Sequence, residues 1–187
     1  MAYIVPQPAN TLAAIPFQSL GGQPAFTPED LDAFVAGRRV AVLAYLRRDG
    51  RPHQSPIWYT YRDGTFLMTT VTDSPKHRAL ARDGRVSLTI QDERPPYRAV
   101  ILEGIVDLTP LDPNDDPTAG MAVRYFGRVG AAEYDRLTAE TYATNGLTLI
   151  AMRTAAVRGF DNTHALNRMA LAFVRLRGHL PLPRRWL

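Results

Sequence analysis

The chain has 187 residues, 45% hydrophobic and 21% charged, with no cysteine and a formal net charge of +4. That is the length and composition of one globular domain with appended ends; disulfides, thiolate zinc sites and thiol nucleophiles are excluded, and a reducing cytoplasm is the expected location. The first 37 residues hold no Lys or Arg, and no apolar run reaches the roughly 18 residues of a span, so neither a secretory signal nor a transmembrane helix is expected.

Residues 1–26 are rich in Pro, Gln, Ala and Gly without a period and read as an irregular lead-in. A helix begins at Thr27-Pro28-Glu29-Asp30, with Thr27 as cap, Pro28 in the first position and Asp30 at the capping-box spacing; Leu31, Phe34 and Val35 share a face, and Gly37 is the stop. Val40 to Leu46 reads as a strand. Asp49-Gly50 turns it into a second from His53 to Tyr61, and Asp63-Gly64 into a third from Phe66 to Val71. After a short helix come strands from Arg85 to Gln91 and from Arg98 to Leu108, parted by Arg94-Pro95-Pro96-Tyr97, with Gly104 marking a bulge. Asp116-Pro117 opens a helix through Phe126, Ala131 to Ala143 has helical spacing, and Leu147 to Gly159 reads as a final bent strand. Thr163 to Arg177 is a terminal helix with Leu166, Met169, Leu171 and Phe173 apolar, followed by a Pro-containing tail from Leu180 to Leu187. Six strands with helical inserts make the chain mainly β (α+β) and point to a barrel over 27–160, with a basic helix and tail over 161–187.

The charge is uneven. From Ala151 onward seven Arg face only Asp161, a net +6, while the preceding 150 residues carry 15 basic and 17 acidic side chains, a net −2. Such an end can meet an acidic small molecule, nucleic acid or a membrane surface, but is most often a solvated surface, and neither nucleic acid nor membrane is an expected partner.

The segment richest in chemistry is Thr69-Thr70-Val71-Thr72-Asp73-Ser74-Pro75-Lys76-His77-Arg78. A strand runs out through hydroxyl side chains into a turn, where Ser74 as cap and Pro75 in the first position start a helix whose free N–H groups point back at the turn, a ready anion site. Helices favour acids in the first turn, yet this one carries Lys76, His77 and Arg78, each unfavourable by up to about 1 kcal/mol. A bound phosphate removes the conflict, since backbone N–H groups, hydroxyls and a Lys or Arg are its natural donors; the other reading is a basic turn extended into water, where the dipole is screened. Of 22 basic residues 21 are Arg, and Lys76 is the only Lys. That placement favours the phosphate.

Other constellations carry less. His53, His77, His164 and His179 lack metal-ligand spacing, and neither a Gly-rich phosphate loop nor a Gly-x-Ser-x-Gly elbow is present, so no metal site and no hydrolase triad is expected. Trp58 and Tyr59 suit either stacking near a ring system or cross-strand packing.

From about Arg39 to Gly159, two thirds of the chain, the order of motifs resembles a known family. The motifs are Arg48-Asp49-Gly50-Arg51-Pro52, Pro56-Ile57-Trp58-Tyr59, Thr69, Ser74-Pro75-Lys76-His77-Arg78-Ala79-Leu80, Arg82-Asp83, Arg85-Val86-Ser87-Leu88, Pro95-Pro96-Tyr97-Arg98 and Glu103-Gly104. They are similar to those of the pyridoxamine 5'-phosphate oxidase-like superfamily of flavin and deazaflavin oxidoreductases, and most like its branch that uses coenzyme F(420). The resemblance implies a six-stranded antiparallel split β-barrel (FMN-binding split barrel) with flanking short helices. It also implies that Lys76, Thr69 and Thr70 hold the cofactor phosphate at the helix start marked by Ser74 and Arg78, that Pro56, Ile57 and Trp58 lie against the ring, and that the protein is a homodimer with cofactor at the interface. The expected activity is hydride transfer between reduced deazaflavin and a conjugated small-molecule substrate; no acid or base is singled out. The alternatives are FMN as the cofactor, or a non-catalytic flavin- or haem-binding protein. The acidic oligoglutamate tail of the deazaflavin gives Arg78, Arg82 or the C-terminal Arg cluster a partner. The family's pyridoxamine-phosphate oxidases end in an Arg-Leu-Ala-Pro pattern, whereas this chain ends Leu180-Pro181-Leu182-Pro183-Arg184-Arg185-Trp186-Leu187, which argues against pyridoxamine-phosphate oxidation.

Overall fold

The computed structural model describes residues 12–23, 25–165 and 167–177; the tail from Leu180 and the first part of the lead-in lie outside them. Helix α1 (Pro28–Ala36) starts where its signals place it, with the Thr27 hydroxyl oxygen accepting the Asp30 N–H at 3.1 Å and Gly37 closing the last turn. It turns Leu31, Phe34 and Val35 into the core, each burial stabilising the fold by about 1.5–3 kcal/mol.

The strands are β1 (Phe17–Ser19), β2 (Ala41–Leu46), β3 (Pro52–Ile57), β4 (Thr60–Arg62), β5 (Thr65–Val71), β6 (Arg85–Gln91), β7 (Arg98–Pro110) and β8 (Leu147–Asp161). They form one sheet in the order β3-β2-β6-β7-β8-β5-β4, antiparallel except that β1 joins β8 in parallel. Its two end strands, β3 and β4, are not paired with each other, so the barrel is open, a split barrel. The expected six strands become eight. Strand β1 arises inside the lead-in because Phe17, Gln18 and Ser19 pair with Val157, Arg158 and Gly159, a long-range ladder that local composition does not signal. The stretch read as one strand from His53 to Tyr61 is two, since Ile57 pairs with Ala41 at one end of the sheet while Thr60 pairs with Leu67 at the other. The chain crosses between them at Trp58 and Tyr59.

Asp63 and Gly64 have φ of 48° and 76°, the two left-handed residues of a tight hairpin that pairs Arg62 with Thr65. Between β7 and β8 the register slips at Glu103/Gly104, and a Cβ on Gly104 would collide with the Arg153 carbonyl oxygen; the bulge needs glycine there. Three further helices complete the fold: α2 (Pro75–Arg82), α3 (Met121–Asn145) and α4 (Arg168–Arg177). Asp116 does not open a helix. Its carboxylate accepts the Thr118 N–H at 2.7 Å and holds a turn, and α3 starts only after Gly120. The two helical stretches read from the sequence are segments of α3, broken at Gly127 with φ of 72°.

Leu43, Phe66, Met68, Leu88, Leu102, Ile150 and Met152 fill the barrel, fully buried. Outside it, Asp92 receives Arg39 Nε and Arg98 Nε, each at 2.7 Å, and both guanidinium groups stand over the Phe34 ring. No helix among the described residues is long and apolar enough to cross a membrane.

Candidate cofactor site

Strand alternation decides what each hydroxyl at the end of β5 can do. Thr70 is buried and its Oγ1 lies 3.2 Å from Ser74 Oγ, while Thr69 faces the opposite side of the sheet. The two threonines therefore serve different places. Ser74 caps α2, its Oγ accepting the His77 N–H at 3.1 Å and its own N–H donating to the Val71 carbonyl. Asp73, at φ 57°, makes the turn that aims the helix start back toward β5.

Three basic side chains follow the cap, and two of them are committed locally. His77 Nδ1 accepts the Asp73 N–H at 3.2 Å and lies 3.6 Å from the Asp73 carboxylate, and the Arg78 guanidinium donates to the Asp73 carbonyl oxygen. Lys76 is half-buried and has no hydrogen-bond or ion-pair partner among the described residues. Burial alone holds its amine below the ordinary Lys value, with no carboxylate to offset it. An unpaired, half-buried ammonium at a hydroxyl-lined helix start, where no acid occupies the first turn, fits the phosphate of a flavin-type cofactor on charge, donors and helix polarity.

One residue back along β5, Thr69 lines a cleft of about 220 Å³ with Pro56, Ile57, Trp58, Val40, Met121 and Tyr134. The sequence reading set Pro56, Ile57 and Trp58 against the ring and Thr69 with Thr70 and Lys76 at the phosphate; the structure instead brings Thr69 into this cleft beside Pro56, Ile57 and Trp58, on the face opposite Thr70. The sequence reading did not find Met121 or Tyr134, which arrive from α3 by tertiary packing. Trp58 stacks on Tyr125 with centroids 5.0 Å apart and planes at 9°, and also meets Phe126 and Tyr134. The first segment of α3 is pinned to the barrel: Arg124 donates to the Ala36 carbonyl at 2.6 Å, and Tyr125 Oη donates to the Arg39 carbonyl at 2.7 Å while accepting the Tyr59 N–H. Beyond Gly127 the helix carries Tyr134 over the cleft, where burial and the Tyr142 hydroxyl at 2.6 Å raise its pKa and keep the phenol neutral. Tyr59, by contrast, is core; its hydroxyl donates to the Val35 carbonyl at 2.8 Å.

On another side of α2, a cleft of about 440 Å³ is lined by Tyr45, Arg47, Arg48, His53, Pro75, Arg78, Ala79 and Arg82. Four guanidinium groups and a histidine border it, and no acid is among its lining residues. Arg82 ties the helix to the β2–β3 hairpin by donating to the Leu46 carbonyl at 2.8 Å. Arg78 thus belongs to this cleft, and Arg47, Arg48 and His53, absent from the sequence reading of the site, face it from the hairpin. Among the described residues no cluster of three metal-ligating side chains exists.

The sequence model of the pyridoxamine 5'-phosphate oxidase family matches residues 27–160. The chain belongs to that family. Its members are flavin-binding oxidoreductases of the split-barrel fold, and the fold here is theirs. Among solved structures, a conserved hypothetical protein from Mycobacterium tuberculosis superposes with a TM-score of 0.61 at 22% identity, covering 89% of this chain and 98% of that one. A Clostridium acetobutylicum protein related to general stress protein 26 of B. subtilis, of the pyridoxinephosphate oxidase family, gives 0.51 at 12% identity over 71% and 87% of the two chains. An F(420) reductase gives 0.48 at 22% identity, with 67% and 94% covered. No curated protein matches the sequence.

Proposed function

We propose that the protein is a cytoplasmic oxidoreductase that binds coenzyme F(420) by its phosphate at Lys76 and passes a hydride between the reduced deazaflavin and a conjugated small molecule. The observation that carries this reading is the solitary Lys76 ammonium, half-buried two residues after the Ser74 cap, with the neighbouring His77 and Arg78 side chains already engaged by Asp73. When bound, the cofactor supplies the hydride chemistry. The chain's own part is to bind and orient: Lys76, its backbone N–H and the Ser74 hydroxyl hold the phosphate, and Pro56, Ile57, Trp58 and Thr69 offer the ring a largely apolar wall.

The deazaflavin is favoured over FMN by the basic cleft. FMN ends at its phosphate, whereas coenzyme F(420) continues into an acidic tail, and Arg78 leads from the phosphate turn toward Arg82, Arg47 and Arg48. Homodimerisation is supported by the rim of the ring cleft, where Val40 and Phe126 are large, apolar and exposed; a second copy laid over this opening would cover them. Parallel fluorescence titrations with reduced deazaflavin and with FMN, followed by turnover with a panel of conjugated carbonyl compounds, test the reading. Tighter binding of FMN overturns the cofactor choice; cofactor binding with no turnover on any substrate would favour a carrier over an enzyme.

A further inference from the structure

Helix α4 has two apolar faces, and the fold uses one. Ala170, Leu171 and Val174 are half-buried on the inner side. Met169, Phe173 and Leu176 are 83%, 65% and 62% exposed, and their spacing of four and three residues puts them in one stripe on the other side of the helix. The apolar residues read from the sequence as this helix's packing set therefore divide: Leu171 turns inward, Met169 and Phe173 face water, and Leu166 lies outside the described residues.

We propose that this stripe docks the protein on an anionic lipid surface. Charge chooses the occupant. The helix sequence 168–177 contains three Arg and no Asp or Glu, so packing the stripe against its own copy brings like charges together. A nucleic acid would meet the arginines but leave Met169, Phe173 and Leu176 in water. A bilayer with acidic headgroups satisfies both, taking the apolar stripe at the acyl boundary and the arginines at the phosphates. The sequence reading took the basic end for a solvated surface and so expected no membrane partner; the exposed apolar stripe beside those charges is what the sequence alone did not set apart. One ten-residue helix gives reversible, salt-sensitive attachment.

The test is sedimentation of the full chain with phosphatidylcholine vesicles, with and without a phosphatidylglycerol fraction. Binding is expected only to the anionic vesicles, to fall at high salt, and to drop by about tenfold or more in Phe173→Ser, the loss of one large buried side chain. Met169→Ser provides a second variant should Phe173→Ser fold poorly, with melting curves as the check. Four results would overturn the proposal: no sedimentation with anionic vesicles; equal sedimentation of both serine variants and parent; binding that appears only after residues 178–187 are removed; or variants whose main effect is to convert an oligomer to monomer.

Discussion

Thr70 Oγ1 lies 3.2 Å from Ser74 Oγ, across the turn that carries β5 into α2. Because Ser74 Oγ already accepts the His77 N–H, Thr70 as donor within the pair leaves the Ser74 proton free for an anion at the helix start. Ser74→Asp separates cap from ligand: it keeps a capping oxygen and adds the charge the helix dipole favours, so cofactor-free protein should melt no lower than the parent while cofactor binding falls at least tenfold. Ser74→Ala should instead lose about 0.5–2 kcal/mol of stability. Melting curves and fluorescence titrations read the two effects, and unchanged binding by Ser74→Asp would take this turn out of the site.

The ring cleft, at about 220 Å³, is smaller than the roughly 300 Å³ at which ligand pockets usually begin. Tyr134 lines it from the segment of α3 beyond Gly127, and that segment buries little besides Ala131. Tyr134→Ala should therefore speed cofactor association several-fold in stopped-flow mixing, with only a small drop in melting temperature. Slower association would mean that Tyr134 receives the ring rather than covers its entrance.

Arg48 borders the basic cleft and makes no ion pair among the described residues. Arg48→Ala should weaken binding of coenzyme F(420) by several-fold and leave FMN binding unchanged, since only the former has acid groups beyond the phosphate. Calorimetric titration of both cofactors against parent and variant is the check, and equal loss for the two would place Arg48 at the phosphate instead of the tail.

A homodimer is expected in solution, with the exposed Val40 and Phe126 covered by the second copy. Light scattering at micromolar protein should give twice the chain mass, and Phe126→Glu should shift it toward the monomer. A monomer mass for the parent would contradict this arrangement.

Local chemistry was legible in the sequence wherever it fixes local structure. Thr27 and Ser74 cap the helices they announce, Asp63-Gly64 supplies the two positive φ values of its hairpin, and Gly104 marks the bulge. What escaped depends on partners distant in the chain. Strand β1 exists only because β8 offers it a ladder, the break at Trp58 reflects the two ends of an open barrel, and Tyr134 enters the cleft through the packing of α3. The cap, the run of basic side chains and the unique lysine could be read from residues 74–78. Which of those side chains is left without a partner could not, because Asp73 engages His77 and Arg78 through a turn geometry that spacing alone does not specify.

Lys76 carries the central claim. Burial holds its amine below the ordinary 10.5, and a cation whose pKa is lower in the folded chain than in the unfolded one opposes folding. That cost is full below the folded value and fades as pH rises through the window up to about 10.5, where the unfolded chain still holds the proton and the folded one has released it. Cofactor-free Lys76→Ala should therefore melt at or above the parent at neutral pH, and the parent should gain on it as pH climbs through that window. Bound phosphate reverses the balance, since a charge-assisted hydrogen bond contributes about 1.5–3 kcal/mol and its loss weakens binding by about 10- to 100-fold. Lys76→Arg should fall between, its planar fork replacing a compact ammonium. The deciding measurement is the cofactor dissociation constant of Lys76→Ala beside its melting temperature without cofactor: binding weaker by ten-fold or more with stability retained is the expected result, and binding as tight as the parent's, or a cofactor-free protein that melts lower, would contradict the phosphate anchor.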